Sequence, residues 1–127
     1  MSMSVEQFLS LSDTEQLQTI KDLNDIGQEE IIIDVLTAVG IDNLSVPLLG
    51  ELGRAYNNND KPEEAIKVFK AIDKEHRDAV WHYRCAYSHG SIASTNHEAY
   101  TSENMQQMLA LVDSGVQLAT KEDRNDI

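Results

Sequence analysis

Three residues in the C-terminal half of the chain could bind a metal ion or carry out thiol chemistry. His82, Cys85 and His89 are three and four residues apart, so in a helix their side chains would lie on one face. Imidazole and thiolate groups at such spacing are typical ligands of zinc, and His97 could supply a fourth. A metal-dependent or thiol enzyme built on these residues is therefore one hypothesis.

Other catalytic motifs are missing from the sequence. His97-Glu98 is not followed by a histidine at the spacing of a zinc-peptidase helix, and no glycine-rich phosphate loop is present. No serine lies in a nucleophile-elbow pattern. Cys85 is the single cysteine, so it cannot form an internal disulfide. As a nucleophile it would need exposure and a lowered pKa, whereas its position predicts an internal side chain. We therefore expect a non-enzymatic protein without a cofactor or metal.

The elements that would position these residues are predicted to be helices. Apolar residues recur at spacings of three and four, and strand-type residues do not alternate. Ser12 and Glu15 form a capping-box pattern that opens the first main helix, and Gly27 ends it. Pro47 and Pro62 fit the first turns of two later helices, where the missing N–H costs nothing. The pattern predicts six helices, the fifth over 77–89 and the sixth over 101–118, with a small-residue loop from Gly90 to Asn96 and a frayed end over 121–127.

Residues 49–69 carry a spaced motif of large and small apolar side chains. Its members are Leu49, Leu52, Gly53, Ala55, Tyr56, Ala65 and Phe69. This motif resembles the tetratricopeptide repeat, a 34-residue helix–turn–helix. In such a pair, the small residues Gly53 and Ala65 let two helices approach closely, and Phe69 fills the space around the contact.

The motif extends to both sides of this central repeat. A shift toward the N-terminus by the full repeat length places Ile31 at the position of Ala65. A shift toward the C-terminus by one residue less than the repeat length places Cys85 at the position of Leu52. The resemblance implies one all-α domain over 1–127, with three helix–turn–helix pairs in a right-handed superhelical array. It also places the His82, Cys85 and His89 set at inward core positions, which favours a structural role for it. The repeats cover about 13–40, 45–76 and 77–119.

The resemblance also indicates a binding surface, because the first helix of each pair lines a concave face in these proteins. The positions that point into it are Lys21, Asn24, Arg54, Asn57, Asn58, Tyr83, Arg84 and Tyr87. Arginine can bind a carboxylate bidentately and tyrosine provides rigid contact area, and similar repeats hold an extended peptide or its C-terminal carboxylate. Gly50 stands where that pattern has lysine. Alternatively, the two arginines only pair with neighbouring acids such as Glu51 or Asp60.

The charge distribution offers a second binding mode. The net charge is −12, and residues 1–50 contain nine acids but a single base, Lys21. Such a field repels nucleic acid and anionic membranes and speeds association with a cationic protein. An acidic surface can also serve solubility alone. The acids proposed for a partner-binding face are Glu6, Asp13, Glu15, Asp22, Asp25, Glu29, Glu30 and Asp34.

Two segments further resemble a bacterial subgroup of these repeats, namely residues 52–58 and 81–84. Its members sit beside toxin and immunity genes, which implies a protein or peptide partner such as a cationic toxin and a role as an immunity-type inhibitor. The alternative is a scaffold or chaperone adaptor. No signal peptide or membrane-length apolar run is found, so we expect a cytoplasmic protein. The wide apolar stripe of the sixth helix predicts a homodimer, and the segment 90–100 is either a partner-binding loop or a tolerated insertion.

Overall fold

The computed structural model describes the backbone of residues 3–95 and 102–126 and the side chains of residues 3–93 and 106–119. The regular structure of this part of the chain is helical, as predicted. The helices are α1 (Val5–Leu9), α2 (Asp13–Asp25), α3 (Glu29–Val39), α4 (Val46–Asn58), α5 (Pro62–Lys70), α6 (Ala79–Thr95) and α7 (Ser102–Asp126), with 3₁₀ turns at Ile41–Asn43 and Lys74–His76. None of the described helices is both long and apolar enough to cross a lipid bilayer.

Alternate helices begin at equivalent N-caps. Ser12, Ser45 and Asp78 are equally spaced in the sequence, and we call the interval from one to the next the unit spacing. The side chain of each accepts a hydrogen bond from the backbone N–H three residues later, at 3.2, 3.4 and 2.8 Å. Such a bond satisfies one of the donors that a helix start leaves unpaired. Because the caps are evenly spaced, α2, α4 and α6 begin at the same point of three successive units.

The turn that follows α2 recurs after α4. Gly27 has a φ of 75°, and Asp60, one unit spacing later, has a φ of 57°. Glycine and aspartate adopt this left-handed conformation more readily than most residues. The next residue in each turn donates its N–H to a carbonyl five residues earlier, at 2.9 Å in both turns. The starts of the two 3₁₀ turns, Ile41 and Lys74, are also separated by the unit spacing. The first two units therefore share their backbone turns.

The close contact predicted between α4 and α5 is present. Ala65 and Phe69 are fully buried, and a Cβ atom added at Gly53 would overlap the Phe69 ring. The Phe69 carbonyl in turn accepts a hydrogen bond from Trp81 Nε1 at 2.8 Å, which ties α5 to α6. The apolar core thus continues from one helix pair to the next.

The first unit has a different register from the one predicted. The shift by the full repeat length, which matched Ile31 with Ala65, is wrong. The unit spacing is shorter by one and brings Ile32 and Leu36 to the positions of Ala65 and Phe69, and all four of these side chains are fully buried. The short helix α1 was not predicted. It has a capping box of its own and buries Phe8 against the core.

The C-terminal region is more helical than predicted. The loop expected from Gly90 is wrong for residues 90–95, because α6 continues to Thr95, and the remainder of the 90–100 segment lies outside the described residues. At Gly90 an added Cβ would lie 2.9 Å from Sδ at the flexible end of Met108, so α6 and α7 lie close together at this point. The last helix runs from Ser102 to Asp126, which includes residues 121–126 that were expected to fray.

Candidate functional site

A cleft between α4 and α6 brings together six of the eight residues predicted to lie on the binding face. It has a volume of about 230 Å³ and is lined by Arg54, Asn57, Asn58, Tyr83, Arg84 and Tyr87. Tyr83 and Tyr87 stand one helical turn apart on α6, and Tyr83 is 71% exposed. The cleft therefore offers two guanidinium groups, a surface amide and two accessible aromatic rings to a ligand.

Of the other two, Lys21 lines a neighbouring cavity of about 320 Å³ on the same side of α4 and α6, and Asn24 is buried. This second cavity shares Arg84 with the first and has apolar walls that include Val80 and Trp81. Lys21 is exposed, and the structure gives it no ion pair within the described residues. The two cavities together form a groove along α2, α4 and α6, with the exposed Lys21 at one end and the carboxylates of Glu51 and Asp78 in the same cavity.

A buried carboxylate, Glu51, joins the two arginines. Glu51 is 4% exposed, and its oxygens lie 3.3 Å from Arg54 Nη1 and 3.1 Å from Arg84 Nη2. Arg54 also pairs with Asp25 at 3.1 Å, and Arg84 donates to the Gly50 carbonyl at 3.1 Å. The arginines are thus paired with neighbouring acids, as the alternative interpretation predicted for Glu51, although the second acid is Asp25 and not Asp60.

Each guanidinium group has more donors than these pairings use. A guanidinium carries five N–H donors, and the hydrogen bonds described above use two on each arginine. Both arginine side chains are half-buried, so their remaining donors border the cleft and its solvent. The Glu51 carboxylate fixes the side chains in place, which lowers the entropic cost of using them for binding.

Asn57 lines the cleft, but its side-chain amide also has a structural role. It is buried, its Nδ2 donates to the Arg84 carbonyl at 3.0 Å, and its Oδ1 accepts from Ser88 Oγ at 2.6 Å. The first of these bonds recurs one unit spacing earlier, where Asn24 Nδ2 donates to the Glu51 carbonyl at 3.1 Å. Asn24 is also buried, and its Oδ1 has no hydrogen-bond partner. The two asparagines therefore join successive units by the same main-chain contact.

The structure does not assemble the suggested metal or thiol site. Among the described residues, three side chains that could bind a metal converge at Asp73, Glu75 and His76, all exposed, and not at His82, Cys85 and His89. His97 lies outside the described residues. His82 and Cys85 of that set instead make structural contacts.

His82 and Cys85 are held by their own helix and by the core. His82 Nδ1 lies 2.8 Å from the Asp78 carbonyl, and its ring packs edge-on against Trp81. Cys85 is buried, and its burial raises the pKa of its thiol to about 11. Since the thiolate is the nucleophile, Cys85 is poorly suited to react at neutral pH. The inward position predicted for the set is correct for Cys85, whereas His82 and His89 are half-buried.

Glu51, which the sequence offered as an ion-pair partner of the arginines but not as a site residue, joins both arginines and lines the neighbouring cavity. It is the single acid of α4, and it precedes Arg84 by the unit spacing that separates equivalent N-caps. Together these two facts could have indicated a cross-helix ion pair. Comparison of the chain with family models, with curated proteins and with solved structures gave no match.

Proposed function

We propose that this protein is a non-catalytic, tetratricopeptide-like module that binds a protein or peptide in the groove along α2, α4 and α6. The observation that carries the proposal is the cleft in which Arg54 and Arg84, held by one buried carboxylate, lie beside two accessible tyrosines. The recurrence of N-caps, turns and asparagine contacts at the unit spacing supports the repeat assignment.

The chemistry of the groove suits an extended peptide that carries an acidic group. Free guanidinium donors can bind a carboxylate or main-chain carbonyls, and Asn58 adds an amide at the same cleft. Tyrosine rings supply contact area at little entropic cost, and arginine and tyrosine are enriched among the residues that dominate interface energies. The cationic end at Lys21 extends this preference along the groove.

The acidic N-terminal face is a second candidate surface for a partner. Of its eight acids, all but the half-buried Glu29 are exposed, and the structure gives only Asp25 an ion pair, with Arg54, within the described residues. A cationic partner would find a strong attractive field there. The acidic face and the resemblance favour the role of an immunity-type inhibitor that binds a cationic toxin. The groove favours the role of a scaffold or chaperone adaptor.

The two surfaces can be separated with variants that leave the buried network intact. Charge reversal of Arg54 or Arg84 would place a second carboxylate beside buried Glu51 and would confound binding with unfolding. Lys21→Glu/Asn58→Glu changes two exposed groove residues instead. Its matched control, Lys67→Glu/Thr37→Glu, makes the same charge change at positions of α3 and α5 that line none of the cavities described above.

Tagged wild type and both variants would be used to capture partners from native lysate, with identification by mass spectrometry. Circular dichroism would first verify that all three fold. The proposal predicts a partner that is retained by wild type and by the control and lost by the groove variant. A partner retained equally by all three, whose binding falls steeply with added salt, would instead assign function to the acidic face.

A further inference from the structure

A second groove runs between α6 and α7. It consists of two adjoining cavities of about 330 and 340 Å³ that meet at Tyr83 and Val112. Small residues, among them Ala79 and Gly115, form part of its lining. None of the residues that line the two cavities carries a charge, so the groove is suited to apolar side chains.

The same helix pair carries most of the exposed apolar residues of the described chain. Nine large hydrophobic side chains are exposed, and six of them lie on α6 and α7. Three of these, Leu109, Val112 and Val116, follow one another at helical spacing and form an apolar stripe along α7. The other three are Val80, Tyr83 and Tyr87 on α6. A contiguous apolar patch of this kind marks an interaction surface.

The register of the fold indicates that this groove fits a helix. Gly50 and Asn57 of α4 make main-chain and side-chain contacts with α6 at Arg84. The positions one unit spacing later are Tyr83 and Gly90, and both line the α6–α7 groove. The groove is therefore the equivalent of the surface on which α6 packs, but no described helix covers it.

We infer that the occupant is a second copy of this chain, paired through α6 and α7 about a two-fold axis. The stripe on α7 and the groove beside it lie on one face of one molecule, which is the self-complementarity that an isologous interface requires. The lining residues are uncharged, so two molecules that each carry −12 can pack their apolar side chains there, with the exposed Asp113 of α7 at the border of the stripe. The inference does not depend on the proposed function.

The size of the face predicts a reversible dimer. With 17 residues, α6 is about 25 Å long, and two adjacent helices are about 20 Å across. The face then measures on the order of 500 Å² in each copy, or about 1,000 Å² for the pair, which is the lower end for specific interfaces. We therefore expect a dimer with a micromolar Kd. Tyr83 and Tyr87 line both grooves, so the second copy would border the binding cleft.

Sedimentation velocity of the full chain tests this inference, at concentrations from about 1 to about 200 µM that bracket a micromolar Kd. The disrupting variant is Leu109→Glu/Val116→Glu, at positions that are each 59% exposed. Its control, Leu9→Glu/Ile26→Glu, adds the same charge at apolar positions that are 57% and 65% exposed but lie elsewhere. Because all four side chains are at the surface, we expect each variant to fold, which circular dichroism would verify.

Wild type and control should shift from 14.2 kDa to twice that mass as concentration rises, and the disrupting variant should stay monomeric with a Kd at least tenfold weaker. A wild type that remains monomeric throughout, or a disrupting variant that dimerises as wild type does, would overturn the inference. As a second measurement, Val112→Cys should form a disulfide-linked dimer under mild oxidation faster than Ile26→Cys. Equal rates would contradict pairing through α7.

Discussion

The two sides of α6 contrast in chemistry. Toward α4, Arg84 and Ser88 bond to Glu51 and Asn57 in a buried polar network. Toward α7, the residues that line the groove are uncharged and mostly apolar, and Tyr83 stands largely exposed at its edge. A network of this kind fixes one relative position of two helices, because any shift leaves buried polar groups unpaired.

This difference suggests that the two sides of α6 have separate roles. The polar side can hold the cleft in a preorganised shape before a partner arrives, which reduces the cost of binding. The apolar side exposes hydrophobic side chains of α6 and α7, which remain available for association. The four predictions that follow test this contrast, from the largest expected effect to the smallest.

Removal of the Glu51 carboxylate should cause the largest loss in the free energy of unfolding. Glu51→Ala leaves Arg84 and Arg54 without their shared partner, and breaking a buried ion pair costs about 3–5 kcal/mol. Urea unfolding would measure the loss. The exposed Glu64→Ala of α5 is the control and should change the free energy of unfolding by no more than about 0.5 kcal/mol. Equal effects of the two variants would show that the network does not stabilise the fold.

Replacing each of two helix-interior glycines with alanine should change the free energy of unfolding in opposite directions. At Gly53 the new Cβ would overlap the Phe69 ring, and overpacking costs about 1–3 kcal/mol. At Gly90 the new Cβ would meet only the flexible end of Met108, so better helix propensity should stabilise by about 0.5–1 kcal/mol. Thermal and urea unfolding of both variants would test this. Destabilisation of similar size at both sites would mean that α7 packs as rigidly as α5.

Replacing each of the two equivalent asparagines compares the same contact in two successive units. Asn57→Ala leaves the Ser88 hydroxyl and the Arg84 carbonyl without their asparagine partner, at a cost of about 1–3 kcal/mol. Asn24→Ala should cost less, because both bonds of the Asn24 amide go to Glu51, whose carboxylate keeps its two arginine partners, and within the described residues the Asn24 Oδ1 has no partner to lose. The difference between the two free energies of unfolding is the measured quantity. A larger loss at Asn24 would contradict the hydrogen-bond assignment.

Truncation on the apolar side should have the smallest effect on the monomer. Tyr83→Ala removes a side chain that is mostly in solvent, so the free energy of unfolding should change by no more than about 0.5 kcal/mol. The measurement requires a protein concentration well below that of dimer formation. A loss comparable to that of Asn57→Ala would show that Tyr83 supports the fold and does not simply line the cleft.

Much of the fold could be predicted because local signals agree with packing. Ser12 and Pro47 mark helix starts where the structure has them, and the small residue at Gly53 anticipates its contact with Phe69. The continuation of α6 through Gly90 could not be predicted, because weak helix formers there are overridden by packing against α7. The five-residue α1 is too short to show a period.

The members of the candidate cleft were predicted, and Glu51 was named as a possible partner of its arginines, but the burial of that carboxylate was not predicted. The unit spacing brings Arg84 beside Glu51 of α4, and the sequence contains that spacing. Burial is a property of the assembled helices, however, so the sequence does not distinguish buried Glu51 from the exposed acids around it. The burial of Asn57 could not be predicted for the same reason. Its amide is hydrogen-bonded to the Arg84 carbonyl and the Ser88 hydroxyl, although the sequence suggested a ligand-binding residue.

The most direct test of the central claim is hydrogen–deuterium exchange of the protein alone and in complex with the captured partner. Peptides would be compared by mass spectrometry across the helices, since protection reports which backbone segments a partner covers or stabilises. The proposed groove predicts that protection on binding concentrates at residues 54–58 and 83–87. Protection confined to residues 6–34 of the acidic face, with no change at either cleft segment, would contradict it.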